Sequence, residues 1–283
     1  MSLMIRKPSR LLKNLREIRA LGADVPSRRQ LARNMFQANL KRVHHGWSSL
    51  ANRVLGTAPV SVQLGFPPIM PFCYRPGSTD LLVLEQVFLD REYHVEPIVA
   101  DSIEYIVDLG SNIGVTAMLW AQRYPHARMV LVEPDPDNFK LLRRNTAAFQ
   151  QRCVLLNAAV SDRRGTASFF RSEREYGHSI LKPDDCASEI NVKTLAMSDV
   201  LREAGFPRVD LLKMDIEGGE TIVMPTMGTW KHAPRYMIAE LHLPYNFAAF
   251  TEHCHSAGLR ATQSPSEGFR SNLPFAALAS AFS

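Results

Sequence analysis

Four short stretches of the sequence combine residue types that could hold a ligand or move a proton. The first is Asp108-Leu-Gly110-Ser-Asn112-Ile-Gly114, with two glycines in a G-x-x-x-G spacing. Glycines there let the backbone turn tightly and let a ligand reach the main chain with no Cβ in the way. The spacing differs from the G-x-G-x-x-G that seats a pyrophosphate, and no G-K-[ST] of a triphosphate loop is present. The second stretch, Val132-Glu133-Pro134, places a carboxylate 23 positions beyond Gly110. That is close to the offset of roughly 20 residues at which an acidic side chain meets ribose hydroxyls. A carboxylate can take both vicinal hydroxyls at once, so the two stretches together point to a nucleoside-bearing ligand. An ordinary exposed glutamate at a strand end is the plain alternative.

The third stretch, Lys213-Met-Asp215-Ile-Glu217-Gly218-Gly219-Glu220, crowds three carboxylates and one amine. Lys213 and Asp215 share a face if the chain is extended, because the side-chain period of a strand is two. Carboxylates this close raise at least one pKa unless Lys213, a substrate ammonium or a metal compensates. Asp215 could also cap a following helix, with Glu220 in its first turn. The fourth stretch is Ala239-Glu240-Leu241-His242, where Glu240 and His242 alternate onto one face. A histidine beside a carboxylate is a candidate general base near neutral pH. Asp215, Glu217, Glu240 and His242 are therefore the candidate catalytic set. A divalent cation bridging the carboxylates is the alternative, since it would also lower the pKa of an alcohol. Glu252-His253-Cys254-His255 looks metal-like on paper, but adjacent helical residues face different directions. It reads as surface, and no metal ligands are assigned.

These four stretches can meet only if they end neighbouring strands of one sheet. The hydrophobic pattern supports that from residue 103 onward. Strands are expected at Tyr105–Leu109, Met129–Val132, Val154–Val160, Leu211–Met214 and Tyr236–Leu241, with helices at Val115–Arg123, Pro136–Phe149 and Phe247–Ala257. Shorter strands are expected at Thr166–Phe170, Asn191–Leu195, Leu259–Thr262 and Pro274–Ala279. Alternating strands and helices imply an α/β domain: a Rossmann-like, mostly parallel sheet with helices on both faces, over residues 103–283. Ligands of such sheets bind beyond the carboxyl ends of the strands, where all four stretches fall.

Upstream, residues 58–102 read as a cap segment, with a Pro- and Gly-punctuated stretch at 56–77 and a helix from Thr79 to Tyr93 that Asp80 can cap. Residues 1–57 read as a basic helical extension, since the first 53 hold twelve Lys+Arg against two Asp+Glu. Apolar residues at helical spacing recur at 9–20 and 27–43. Such an arm could touch an anionic membrane, but packing on its own body or on a second subunit is favoured, and a homo-oligomer is one outcome. Nucleic acid is disfavoured, because no aromatic residues interleave with the basic ones. With 46% hydrophobic and 22% charged residues in 283, the chain is neither disordered nor collagen-like. It shows no apolar run of membrane-spanning length, and a secretory leader is not expected. Four scattered cysteines without a C-x-x-C pair suggest reduced thiols and a cytoplasmic protein.

The motifs VDLGSNIG, VEPDPDNFKLLRRN, NAAVSDRRG, DLLKMDIEGGE and IAELH, in this order, resemble the FkbM family of S-adenosylmethionine-dependent methyltransferases. The resemblance runs from about Tyr74 to Leu243, and KMDIEGGE is its most specific part. It departs at Thr194-Leu-Ala-Met-Ser-Asp199, where relatives usually carry Thr-Leu-Asp. The resemblance implies a class I methyltransferase sheet that uses S-adenosylmethionine. Asp108, Gly110, Asn112 and Gly114 would line the methionine and sugar part of that cofactor, and Glu133 would hold its ribose. Asn157 and Ala158 would border adenine, and Asp215 would lie near the sulfonium. The implied reaction is O-methylation of a hydroxyl on a sugar, glycolipid, polysaccharide or secondary metabolite. A non-catalytic Rossmann-like binding protein is the main alternative, and a dinucleotide-dependent oxidoreductase a weaker one.

Overall fold

The structure is a computed structural model that describes residues 16–43, 58–66, 69–94, 103–172, 179–181, 186–263 and 274–278. The chain forms two compact units, residues 1–90 and 91–283.

The first unit holds helix α1 (Val25–Val43), strands β1 (Val60–Leu64) and β2 (Met70–Tyr74), and helix α2 (Asp80–Phe88). Leu31, Met35 and Ala38, spaced one helical turn apart, are the buried stripe of α1. The expected helix at 9–20 falls largely outside the described residues, which are helical from 16 to 20. The stretch at 56–77 is not merely a linker, because β1 and β2 pair antiparallel there, from Val60 opposite Tyr74 to Leu64 opposite Met70. Asp80 does not cap α2. Its carboxylate instead takes the Arg75 backbone N–H at 2.8 Å and the Arg75 guanidinium at 2.8 Å. A bidentate charged partner outcompetes a helix N–H for the same oxygens.

The second unit runs β3 (Tyr105–Leu109), α3 (Val115–Arg123), β4 (Arg128–Val132), α4 (Pro136–Asn145), β5 (Cys153–Leu156), β6 (Ala159–Ser161), β7 (Gly165–Ser172), β8 (Cys186–Ala196) and α5 (Met197–Ala204). It continues with β9 (Leu211–Met214), α6 (Glu220–Val223), β10 (Tyr236–Ala239), α7 (Phe247–Ser256), β11 (Leu259–Gln263) and β12 (Pro274–Leu278). Seven strands form one sheet in the order β11-β12-β10-β9-β3-β4-β5. All are parallel except β12, which runs antiparallel to both neighbours. Residues on both faces of β3, β4, β9 and β10 are buried, as a parallel sheet covered on two sides requires. A second sheet, β6-β8-β7, stands apart from it.

Two expected elements break where a side chain diverts the backbone. The strand at 154–160 divides after Leu156, because the Asn157 amide donates to the Glu133 and Pro134 carbonyls at 2.8 and 3.1 Å. Its second half joins the smaller sheet. The helix from Pro136 stops at Asn145, whose amide donates to the Ile113 carbonyl, and a 3-10 turn follows. Among the described cysteines Cys73, Cys153 and Cys254 are unbridged, and the Cys186 side chain lies outside the described residues. Cys254 is buried in the core, so the 252–255 cluster is not all surface. No described helix is long and apolar enough to cross a membrane.

Candidate active site

The sheet order makes β3 the strand from which the chain winds both ways, with β4 on one side and β9 on the other. A crevice must open beyond the carboxyl ends of such a pair. A cleft lies there, partly open to solvent. Gly110 leaves β3 at φ +78°, and a Cβ on it would sit 1.8 Å from the Asp215 carbonyl oxygen. Only glycine lets the β3 and β9 loops approach this closely.

Glu133 leaves β4 and faces this cleft at 5% exposure. Its two oxygens accept the backbone N–H groups of Asp135 and Asn112, each at 2.8 Å. Burial pushes its carboxyl up to about 7, although these N–H donors favour the charged form. The Asn138 side chain is a further hydrogen-bond partner of this carboxylate, which still presents acceptor oxygen to the cleft. Beside Glu133, Ala158, Val160, Phe169 and Ile180 form an apolar wall suited to a flat ring.

Behind the glycine loop, Lys213 is 3% exposed and Asp108 is 0% exposed. The Lys213 Nζ donates to the Gly110 carbonyl at 2.6 Å, lies 3.2 Å from Asp108 and 3.8 Å from Asp215, and sits over the Tyr93 ring. Burial alone would lower the Lys213 pKa, but Asp108 and Asp215 outweigh it and hold it charged. One ammonium thereby ties the ends of β3 and β9 together. Burial raises the pKa of Asp215 against the pull of Lys213. The Tyr93 hydroxyl lies 3.4 Å from Asp215 Oδ2, while Oδ1 is buried with no hydrogen-bond partner among the described residues.

Beyond β9 the chain turns through Glu217, whose φ is +51°. Glu220 is fully buried and takes the N–H groups of Ile216 and Gly218 at 3.1 and 2.8 Å, so it, and not Asp215, closes this turn. His242 lies among carboxylates: Nε2 is 3.1 Å from Glu217 and 3.9 Å from Glu240, and Nδ1 is 3.3 Å from Glu220. Burial opposes its charge, but Glu217 and Glu220 prevail and raise its pKa to about 11. The imidazole is thus a cation at neutral pH, which differs from the neutral base expected of an isolated histidine. Asp215, Glu217 and His242 bring one ligand atom each within 4.8 Å of one another, a set able to hold a metal ion.

Of the residues singled out in the sequence, Gly110, Asn112, Glu133, Ala158, Asp215 and Glu217 line the cleft. Asp108 lies beneath it as the partner of Lys213, and Asn157 props the Glu133–Pro134 backbone. Gly114, at φ +90°, caps α3, and Glu240 and His242 stand behind Glu217. No sequence motif singles out Phe169, Ile180 or Tyr93: Phe169 lies in the strand expected at Thr166–Phe170, and Tyr93 ends the helix expected from Thr79.

This sheet, with its single reversed strand, glycine loop and buried acidic residue after β4, has the architecture of a class I methyltransferase domain, whose cofactor is S-adenosylmethionine. The residues fit that cofactor: Gly110 keeps open a cradle that a Cβ would fill, and Glu133 presents acceptor oxygens to the cleft. The chain belongs to the FkbM methyltransferase family, since the Methyltransferase FkbM domain matches residues 108–261, more than half of its length. It is 28% identical over 174 residues to methyltransferase sdnD of Sordaria araneosa, covering 50% of this chain and 66% of that protein. It is 33% identical over 135 residues to the 2-O-methyltransferase NoeI of Sinorhizobium fredii, covering 42% and 55%. It is 25% identical over 145 residues to the hexuronic acid methyltransferase AglP of Haloferax volcanii, covering 50% and 58%. The matched region thus spans about two thirds of these relatives or less.

Proposed function

We propose that the protein is an O-methyltransferase that methylates a hydroxyl of a sugar, a glycan or a secondary metabolite. One observation carries this reading: a single cleft runs from the buried acceptor Glu133 to the ionisable cluster at Asp215 and Glu217. The named 2-O-methyltransferase activity of NoeI supports a hydroxyl acceptor, and the named hexuronic acid methyltransferase activity of AglP supports a sugar-type one. Gly110, Asn112, Glu133 and Ala158 would hold S-adenosylmethionine, which supplies an activated methyl group when bound. An acceptor alcohol is a poor nucleophile, so the chain must orient it and take its proton. Asp215 Oδ1 is the best placed proton acceptor, being buried, unpartnered and raised in pKa. Tyr93 and Lys213 hold its carboxylate in place, and Lys213 stabilises its charge. The imidazolium of His242 pairs with Glu217 and holds its carboxylate at the cleft, where it can take an acceptor hydroxyl.

Calorimetry with S-adenosylmethionine and S-adenosylhomocysteine, followed by transfer of labelled methyl to a panel of neutral sugars, uronates and polyketide alcohols, tests this reading. Micromolar binding and label in an alkali-stable ether are expected. Absence of binding by either compound at millimolar concentration would overturn it. A second reading follows from the proximity of Asp215, Glu217 and His242: a divalent cation held there would displace the His242 proton and polarise the acceptor hydroxyl. Loss of turnover in EDTA with recovery in Mg²⁺ would favour the cation, and full turnover in EDTA would favour Asp215 alone.

A further inference from the structure

We propose that Ser179 is a positioning residue, one that couples occupancy of the nucleoside end of the cleft to the placement of Glu217. The proposal rests on the methyltransferase reading above. Ser179 is 4% exposed and anchored in two directions. Its backbone pairs with Phe170 in an isolated antiparallel bridge, donating to the Phe170 carbonyl at 3.0 Å and accepting from the Phe170 N–H at 2.7 Å. Its hydroxyl donates to the Glu217 carbonyl at 2.6 Å and accepts the Leu181 N–H at 2.9 Å.

The residues beside these anchors are the ones that touch the ligand space. Phe169, next to Phe170, and Ile180, next to Ser179, pack together and line the apolar wall of the cleft. Glu217 lines the cleft at the ionisable end and reaches His242. Glu217 is also one of the few non-glycine residues with positive φ, a conformation that persists only where the surroundings fix it. Glu220 holds the neighbouring N–H groups of this turn, and Ser179 holds its carbonyl from the opposite side. At Gly218 a Cβ would stand 3.2 Å from the Leu181 side chain, so the 179–181 segment lies directly against the turn. A flat ring pressed against Phe169 and Ile180 therefore steadies Ser179. Through one hydroxyl, Ser179 steadies the backbone that aims Glu217.

The test is hydrogen exchange of the full chain, with and without S-adenosylhomocysteine, read by mass spectrometry at peptides from 165–172 and 215–223. In the wild type the compound should slow exchange in both regions. In Ser179→Ala it should still protect 165–172, while the added protection at 215–223 falls about fivefold, the worth of one net hydrogen bond. Ser179→Thr, which keeps the hydroxyl, should restore it. Should Ser179→Ala melt below the assay temperature, Ser179→Cys, nearly isosteric and only a weak donor, is read in the same way. Equal protection of both regions in wild type and Ser179→Ala overturns the coupling. No protection anywhere in the wild type would instead overturn the methyltransferase reading on which it stands.

Discussion

Replacing Glu133 by glutamine separates the ligand-binding role of this carboxylate from its structural one. In the unliganded protein its two oxygens each accept one backbone N–H at 2.8 Å. An amide keeps one acceptor oxygen and turns the other position into a donor facing a donor. It therefore loses one charge-assisted bond to the ribose, worth about 1.5–3 kcal/mol, or roughly 10- to 150-fold in the Kd for S-adenosylhomocysteine. The pH dependence sharpens the test. Because burial lifts the Glu133 pKa from 4.5 to about 7, acidification from pH 7 to 6 should weaken wild-type binding by up to about fivefold, and Glu133→Gln should lack that step. For stability the sign runs the other way. A carboxyl with a raised folded pKa contributes its full stability below pH 4.5 and loses it as the pH rises through about 7. The loss is on the order of 3 kcal/mol. At pH 8 the unliganded variant should therefore melt no lower than the wild type, while binding ligand far more weakly. Calorimetry for affinity and thermal melts at pH 5 and 8 read both quantities. An unchanged Kd with the same pH profile in both proteins would refute the ribose assignment.

Gly110→Ala should destabilise the protein by about 3 kcal/mol in urea melts and abolish cofactor binding, since the new Cβ meets the Asp215 carbonyl at φ +78°. Lys213→Met leaves Asp108 buried and unpaired and should cost about 3–5 kcal/mol, much of it recovered in the Lys213→Met/Asp108→Leu double variant. A double variant no more stable than the single one would show that this pair does not hold the loops together. With its pKa near 11, His242 should remain protonated by NMR through pH 9. Glu217→Gln should lower that pKa by about one unit or more. A His242 ring that titrates near 6.5 in the wild type would contradict the carboxylate cage.

The sheet was legible because its determinants are local. Tyr105–Leu109 and Leu211–Met214 carry their apolar pattern, and they are followed by Gly110 and Asp215, so boundaries and chemistry coincide. Glycine loop, Glu133 and the KMDIEGGE run each announce themselves within a few residues, as main-chain geometry and short-range charge do. What tertiary structure alone decided depends on partners far apart in sequence. Asp108 looks like a ligand residue until Lys213, 105 positions away, is found beside it in the core. His242 looks like a neutral base until Glu217, Glu220 and Glu240 surround it and hold its proton. The cleft wall from Phe169 and Ile180, and the tie from Ser179 to Glu217, depend on the bridge between Ser179 and Phe170 and on a contact across 38 positions of sequence. A pKa or a pocket wall is set by what surrounds a residue in space, and hydrophobic period and motif spacing describe only what surrounds it along the chain.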